Sequence, residues 1–189
     1  MASHPVAETV RQRRTVYSFR PESLPEGLIE DLLEAACHVP NHKHSQPWRF
    51  VVVRGKAVGR LADLRVELQR ERAAKDGRPV GDLAAFRAEV AQAAAVVYVV
   101  QAVAEDEKRR QEDYASCMIA VYVLQLVAWE RQVGARWNTG QLTRGEAVRS
   151  FLDLGAREEI ACCLLLGYPE QVPPDWSRKP LQDVTRYIE

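Results

Sequence analysis

A long apolar helix is the feature that most constrains the fold of this chain. Residues 105–113 are polar and start a helix predicted to end near residue 132, and its central part, residues 117–129, is apolar nearly all round. A helix that spans a bilayer needs about 20 apolar residues, and this stretch is shorter, so it is predicted to be buried in protein. Such a helix must be covered on every side, and in a chain of 189 residues a partner subunit can supply part of that cover.

The remaining patterns predict an α+β fold with one mixed sheet between helices. Amphipathic helical segments alternate with short runs rich in β-branched residues, and turn-forming residues separate them. Most charges of the helical segment 57–92, such as Arg65 and Arg72, are interpreted as a solvated face. The predicted helices are 6–14, 23–38, 57–92 with a break at 76–79, 105–132 and 144–152, and the predicted strands are 50–53, 93–100, 135–137 and 160–167.

Length and charge bound the class of protein. At 189 residues the chain is predicted to form one domain, residues 1–189. Lys and Arg total 26, as do Asp and Glu, so the net charge is zero. This balance argues against a protein that coats nucleic acid or an acidic membrane, although a local basic cluster can still hold one phosphate.

The four cysteines indicate a reducing compartment. They have neither the CxxC motif nor the spacing of a disulfide scaffold, and we expect them to be buried, reduced thiols. The N-terminus has no apolar segment typical of a signal peptide. A cytoplasmic location is therefore expected. The cysteines are Cys37, Cys117, Cys162 and Cys163.

The loop 37–50 concentrates hydrogen-bonding groups between a predicted helix and a predicted strand. It contains His38, His42 and His44, three of the four histidines, and Pro40 and Pro47 bracket its centre. Zinc is one possible ligand, but Pro40 spoils the helical spacing of His38 and His42 and the loop has no carboxylate. Purely structural hydrogen bonding is a second interpretation, and a flavin site is a third.

A second candidate site is the basic run Arg13-Arg14-Thr15. It is either the solvated end of a helix, where cations suit the helix dipole, or a phosphate site. The chain has no GxGxxG motif after a strand, no Walker loop and no GxSxG motif, which removes the common dinucleotide, NTP and hydrolase interpretations. A flavin mononucleotide would need cations on its phosphate and hydrogen-bond donors along its ring. Spacing alone cannot assemble the pieces.

Five segments of the chain carry motifs that occur together, in this order, in one family. They are residues 13–19, Pro40 followed by Gln46-Pro47-Trp48-Arg49-Phe50, Gly134–Gly140, the closing strand 164–169 and the R-x-P-L tail, residues 178–181. Through these segments the chain resembles the nitroreductase family of FMN flavoproteins over essentially its full length. Residues 13–19 are similar to the opening RRS-x-x-x-F motif of that family, and the segment from Pro40 resembles its A-P-x(6)-Q-P-W-x-F motif. The resemblance implies a mostly antiparallel sheet and a homodimer whose long central helix lies at the interface.

The resemblance also implies roles for individual residues. The basic run and Arg178 would contact the FMN phosphate and ribityl chain, and the backbone N–H of Thr139 or Gly140 would face flavin N5. The loop would reach the flavin bound mainly by the other subunit. The implied cofactor-binding residues are Arg13, Arg14, Thr15, His38, Pro40, Asn41, His42, His44, Gln46, Trp137, Asn138, Thr139, Gly140 and Arg178, with no metal and no catalytic side chain.

The implied activity is a ping-pong transfer of hydride from NADH or NADPH through FMN to a nitroaromatic, a quinone or an activated alkene. Reductive dehalogenation, flavin fragmentation and a non-catalytic flavin carrier or sensor remain alternatives on the same scaffold. One departure concerns Tyr17, because many members have Lys or Arg there. Arg14 or Lys43 would then have to supply the positive charge near the flavin.

Overall fold

Four antiparallel strands form the centre of the molecule in the computed structural model, which describes residues 5–189. Their order across the sheet is β1-β2-β4-β3, and every neighbouring pair is antiparallel. The strands are β1 (Trp48–Arg54), β2 (Ala95–Ala102), β3 (Gly134–Asn138) and β4 (Glu158–Gly167). The α+β prediction is therefore confirmed, and the only parallel pairing described is an isolated bridge between Thr15 and Ala135.

Helices cover both faces of this sheet. They are α1 (Pro5–Gln12), α2 (Leu28–Cys37), α3 (Lys56–Asp76), α4 (Leu83–Ala91), α5 (Glu107–Glu130) and α6 (Glu146–Phe151). Three short 3₁₀ turns lie between or after these elements, at His42–His44, Gln141–Thr143 and Leu181–Asp183. Alternate residues of β2 point to opposite faces of the sheet and belong to two apolar clusters. Val97 and Val99 pack with α2 and α5, while Val96 and Val100 pack with α3 and α6.

The central strands explain why the sheet is buried on both faces. β2 is a nearly continuous apolar run with seven consecutive buried residues, and the last six residues of β4 are also buried. A strand that is apolar on both faces needs helices on both sides. At about 25 cal/mol per Å² of buried apolar surface, these two strands are a main source of the free energy of folding.

Most predicted boundaries differ from the observed ones by one or two residues, and two of the differences lie next to a clear local feature. The second helix begins at Leu28 and not at residues 23–25, because Gly27 adopts a left-handed φ of 80° immediately before it. The predicted helix 144–152 shortens to Glu146–Phe151, and the 3₁₀ turn Gln141–Thr143 precedes it.

Helix α5 is covered on one side only within this chain. Leu124 and Ala128 are completely buried, whereas Tyr114, Ile119 and Tyr122 are 45%, 42% and 36% exposed. The predicted cover on every side is thus not supplied by residues 5–189. Within residues 5–189, no helix is both long and apolar enough to cross a membrane.

Candidate functional site

The segment after α1 is held along strand β3. The Val16 N–H donates to the Ala135 carbonyl at 3.1 Å, next to the Thr15–Ala135 bridge. A Cβ added to Gly134 would come within 2.5 Å of the Val16 side chain, so a glycine is needed for the two backbones to approach this closely. Arg13 to Thr15 are therefore fixed beside a strand that ends, about 10 Å further along, in the turn at residues 138–141.

Arg13 carries a buried donor without a partner. Its Nε is inaccessible to solvent and makes no hydrogen bond within residues 5–189. Its guanidinium lies 5.9 Å from the centre of the Tyr122 ring on α5. Buried polar groups are nearly always hydrogen-bonded in native proteins, so the unpartnered Arg13 Nε indicates that its acceptor is not supplied by residues 5–189. A phosphate is an acceptor of the right charge for a guanidinium.

Arg14, predicted to contact the phosphate, binds backbone carbonyls and the C-terminal tail in this structure. Its Nη1 donates to the carbonyls of Arg11 at 2.6 Å and Arg13 at 3.1 Å, and its Nη2 lies 3.2 Å from the Asp175 carboxylate. These contacts close α1 and tie down the C-terminal tail. They also bring the tail beside the basic run, because Asp175 lies three residues before Arg178. The Arg178 Nη1 donates to the Trp176 carbonyl at 3.1 Å.

The hydrogen bonds within the turn after β3 use the Gly140 N–H but not the Thr139 N–H. The Asn138 Oδ1 accepts from the Gly140 N–H at 2.8 Å, and the Gly140 carbonyl accepts from the Thr143 N–H at 3.1 Å and hydroxyl at 2.9 Å. None of these bonds uses the Thr139 N–H. Trp137 beside it is 40% exposed. Of the two predicted donors, Thr139 is thus the one that the turn does not use.

The loop between α2 and β1 is anchored by its polar residues. The Asn41 Oδ1 accepts from the Gln46 N–H at 2.9 Å, and the Ser45 hydroxyl donates to Asp113 Oδ1 on α5 at 2.6 Å. Three non-glycine residues adopt left-handed φ values near the centre of the loop, a strained arrangement typical of functional loops. They are Lys43 at 53°, His44 at 52° and Gln46 at 44°.

The anchored loop presents its predicted site residues to solvent. His38, Pro40, His42 and His44 are exposed, whereas Trp48 is buried. His42 Nδ1 lies 3.8 Å from the Glu112 carboxylate. Within residues 5–189 there is no group of three His, Cys, Asp or Glu residues arranged to hold a metal ion.

One chain does not bring the loop and the basic run together. The loop contacts α5 at Asp113, whereas Arg13 contacts it at Tyr122, and nine residues of helix separate these points by about 13 Å along the axis. The structure therefore places Arg13 toward the C-terminal part of α5 and the loop near its N-terminal part.

The cysteine prediction is wrong for Cys37, which is exposed at the end of α2. Ile29, Leu32 and Ala36 form the buried face of that helix, and Cys37 lies off this face. The other three are buried as predicted, and burial raises the pKa values of the Cys117 and Cys162 thiols to about 12. The pKa of the Cys163 thiol is also raised, mainly by burial.

A buried ionic cluster was missed by sequence reasoning. Arg65, interpreted as solvated, is only 9% exposed, and burial lowers its pKa. Glu89 lies 3.6 Å from Arg65 and 2.7 Å from Arg136, and Arg65 donates to Gln141 Oε1 at 2.7 Å. The sequence did contain a signal for the burial of Arg65. Arg65 lies four residues after Leu61, which places both residues on the buried face of α3.

Arg136 is also a cation beside Tyr17, the position where a basic residue was expected. Its guanidinium lies 5.3 Å from the centre of the Tyr17 ring. Tyr17 itself is 60% exposed. Of the two cations that the sequence suggested, Arg14 is engaged by the tail and Lys43 belongs to the distant loop. Arg136, from β3, therefore supplies positive charge beside Tyr17.

Comparisons with known proteins identify relatives of this chain and solved structures that share its fold. The chain is 28% identical to "Putative NAD(P)H nitroreductase YfhC" of Bacillus subtilis (strain 168) over 93% of this chain and 90% of that protein. It superimposes on a nitroreductase-like family protein of Bacillus cereus with a TM-score of 0.86 and 26% identity, covering 100% of this chain and 98% of the other. An oxidised iodotyrosine deiodinase bound to FMN and 3-iodo-L-tyrosine shares the fold, with a TM-score of 0.76 and 21% identity over 97% of this chain and 99% of the other.

The family assignment rests on most of the chain. A sequence model described as the nitroreductase family matches residues 10–168, which include the basic run, the loop, the whole sheet and the turn after β3. The chain belongs to the nitroreductase family.

Proposed function

We propose that the protein is an FMN-dependent oxidoreductase that takes hydride from NADH or NADPH and passes it to a small oxidised acceptor. The observation that carries the proposal is the buried Arg13 Nε, which has no hydrogen-bond partner within residues 5–189. It lies in a segment paired with the strand before Thr139, whose N–H also makes no hydrogen bond to these residues. Membership of the family supports it, as do the NAD(P)H nitroreductase name of one relative and the FMN bound to a protein of the same fold.

The donors present fit FMN at two places. Arg13, with Thr15 and Arg178, would hold the phosphate and ribityl chain, and Thr139 would donate its N–H to the ring. FMN supplies a two-electron centre that accepts and returns hydride. The protein's part is to bind and orient, because backbone donors fixed by a strand and a turn need no reorganisation during the reaction.

We infer that the working unit is a homodimer. The exposed apolar side of α5 can be covered by a second copy, which would also bring the partner's loop to the basic run. The loop residues Pro40, Asn41, His42 and His44 would then line the site across the interface, with His38 and Gln46 nearby. The apolar side chains of the tail, such as Ile188 at 88% exposure, are further surface for a partner.

Asn138 is expected to position the Thr139 N–H. Asn138→Ala removes the acceptor of the Gly140 N–H, so the turn loses one hydrogen bond of roughly 1 kcal/mol. We expect reduction of bound FMN by NADPH, followed by stopped-flow absorbance, to slow by about fivefold while FMN stays bound. Asn138→Ser, which can make the same contact more weakly, should recover part of the rate. An unchanged rate in Asn138→Ala would contradict this role.

Reductive dehalogenation, flavin fragmentation and a flavin carrier or sensor are separated from this proposal by turnover. The holoenzyme should oxidise NADH or NADPH continuously when a nitroaromatic or a quinone is present and slowly without one. If bound FMN is reduced but no such acceptor reoxidises it, the carrier or sensor is favoured. Release of halide from a halogenated phenol, without nitroaromatic turnover, would favour dehalogenation.

A further inference from the structure

An open cavity of about 380 Å³ lies beside the turn that presents the Thr139 N–H. Thr139 and Gly140 form one wall, Leu68 of α3 contributes an apolar surface, and Arg72 and Arg144 stand at the sides. Among residues 5–189, no carboxylate lines this cavity. The cavity therefore combines two guanidinium groups with a backbone turn, and its position next to the turn makes it accessible to a molecule that reacts there.

The charges around this cavity are unevenly balanced. Arg144 makes no ion pair with any carboxylate of residues 5–189, and Arg72 makes only a 3.5 Å contact with Asp76. Behind the wall, Arg65 and Arg136 share the single carboxylate of Glu89, which leaves one positive charge in excess. Because these two are partly buried, their field is screened less by solvent than that of exposed charges.

Gln141 connects the excess charge to the cavity. Its Oε1 accepts from Arg65 at 2.7 Å, and its Nε2 donates to the Leu68 carbonyl at 3.0 Å. Gln141 and Arg72 also line a neighbouring cavity of about 290 Å³ that contains Arg78. The turn is thus held by a cationic framework. Of the four arginines that line the two cavities, Arg78 and Arg144 have no carboxylate partner within residues 5–189, whereas Arg65 pairs with Glu89 and Arg72 with Asp76, which also lines the second cavity.

We propose that this cavity binds the anionic group, a carboxylate or a phosphate, of a small molecule that reacts at the turn. The proposal rests on the proposed function for its reaction and deepens it by naming the substrate class. Two exposed guanidiniums suit an anion bound from solution, since each can donate two parallel hydrogen bonds to a carboxylate or phosphate. The anion belongs either to the electron acceptor or to the extra phosphate that distinguishes NADPH from NADH.

The test uses the FMN-loaded protein and the variants Arg72→Gln, Arg144→Gln and their double substitution. Two acceptors of matched shape are compared, 4-nitrobenzoate and its neutral methyl ester, and kcat/KM is also measured for NADPH and NADH. Binding of 4-nitrobenzoate to the oxidised protein is measured by calorimetry without a reductant. Arg70→Gln is the matched control, because Arg70 lies on α3, pairs with Glu67 at 2.6 Å and does not line either cavity.

We expect the double substitution to weaken 4-nitrobenzoate binding, and its kcat/KM relative to the ester, by about tenfold, while Arg70→Gln changes neither. If instead only the preference for NADPH over NADH falls, the anion is the reductant's phosphate. The proposal is overturned if neither the acceptor ratio nor the nucleotide ratio changes in the double variant. A protein that takes up no FMN contradicts the proposed function. Calorimetry on that protein still tests the anion site separately. Binding of 4-nitrobenzoate to the wild type that is lost in the double variant supports the site, and absence of binding to the wild type overturns it.

Discussion

Replacing Arg13 by alanine is expected to raise the Kd for FMN by about 10- to 100-fold. The reason is that the Arg13 Nε is a buried donor with no partner within residues 5–189, and a hydrogen bond to a charged group contributes about 1.5–3 kcal/mol. Fluorescence titration of the apoprotein with FMN measures the change directly. Arg13→Lys should recover only part of the affinity, because lysine lacks the planar, bidentate donor set of arginine.

Arg11→Ala is the matched control for this substitution. Arg11 is an exposed arginine in the last turn of α1, and only its backbone carbonyl, which the substitution keeps, bonds to Arg14. Its loss should leave the Kd for FMN within about twofold of the wild type, since exposed charges contribute little. An Arg13→Ala protein that holds FMN as tightly as the Arg11→Ala control would show that the phosphate lies elsewhere.

Placing a carboxylate on the exposed side of α5 is expected to divide the protein into monomers and to release FMN. Ile119 is 42% exposed between Tyr114 and Tyr122, and Ile119→Asp would bury a charge in the interface that we infer. Burial of an unpaired charge costs several kcal/mol, enough to raise the dimer Kd by at least about a hundredfold. Analytical ultracentrifugation measures the mass, and absorbance of the same samples measures retained flavin.

Ala74→Asp provides the comparison, because it adds the same carboxylate to an exposed position of the long helix α3. This variant should stay dimeric and keep its flavin. If Ile119→Asp is a folded dimer with full FMN content, the exposed side of α5 is not the interface. A monomer that keeps FMN would instead show that one chain forms the whole site.

The elements with the strongest sequence patterns were predictable. β2 and the C-terminal part of β4 are continuous apolar runs, and only a strand covered on both faces accommodates them in segments this short. The helix α5 followed from its length and from the break at Gly134. In each case many residues contribute the same signal, so an error at one position does not change the assignment.

Features that depend on one residue's environment were harder to predict. The burial of Arg65 reflects a charge partner, Glu89, that lies 24 residues away in the sequence and on a different helix. Cys37 is exposed because of its angular position on α2. The neighbouring alanines make the end of this helix apolar on several sides, so the sequence pattern does not show which side is buried. The start of α2 was set by the left-handed φ of Gly27.

The candidate site was predictable as a set of segments but not as an arrangement. Sequence spacing cannot show that Thr15 pairs with Ala135, which brings the basic run to the strand before the turn. It also cannot show that the loop contacts α5 about 13 Å from Arg13 along the helix axis. These separations arise from tertiary packing, which spacing along the sequence does not encode.

The central claim, hydride transfer through bound FMN, is tested most directly by the absorbance of the purified protein before and after anaerobic addition of NADH or NADPH. We expect a yellow protein whose flavin bands bleach with one of the two nucleotides and return when a nitroaromatic or a quinone is added. A colourless protein that takes up no added FMN, or bound FMN that neither nucleotide reduces, would contradict the account.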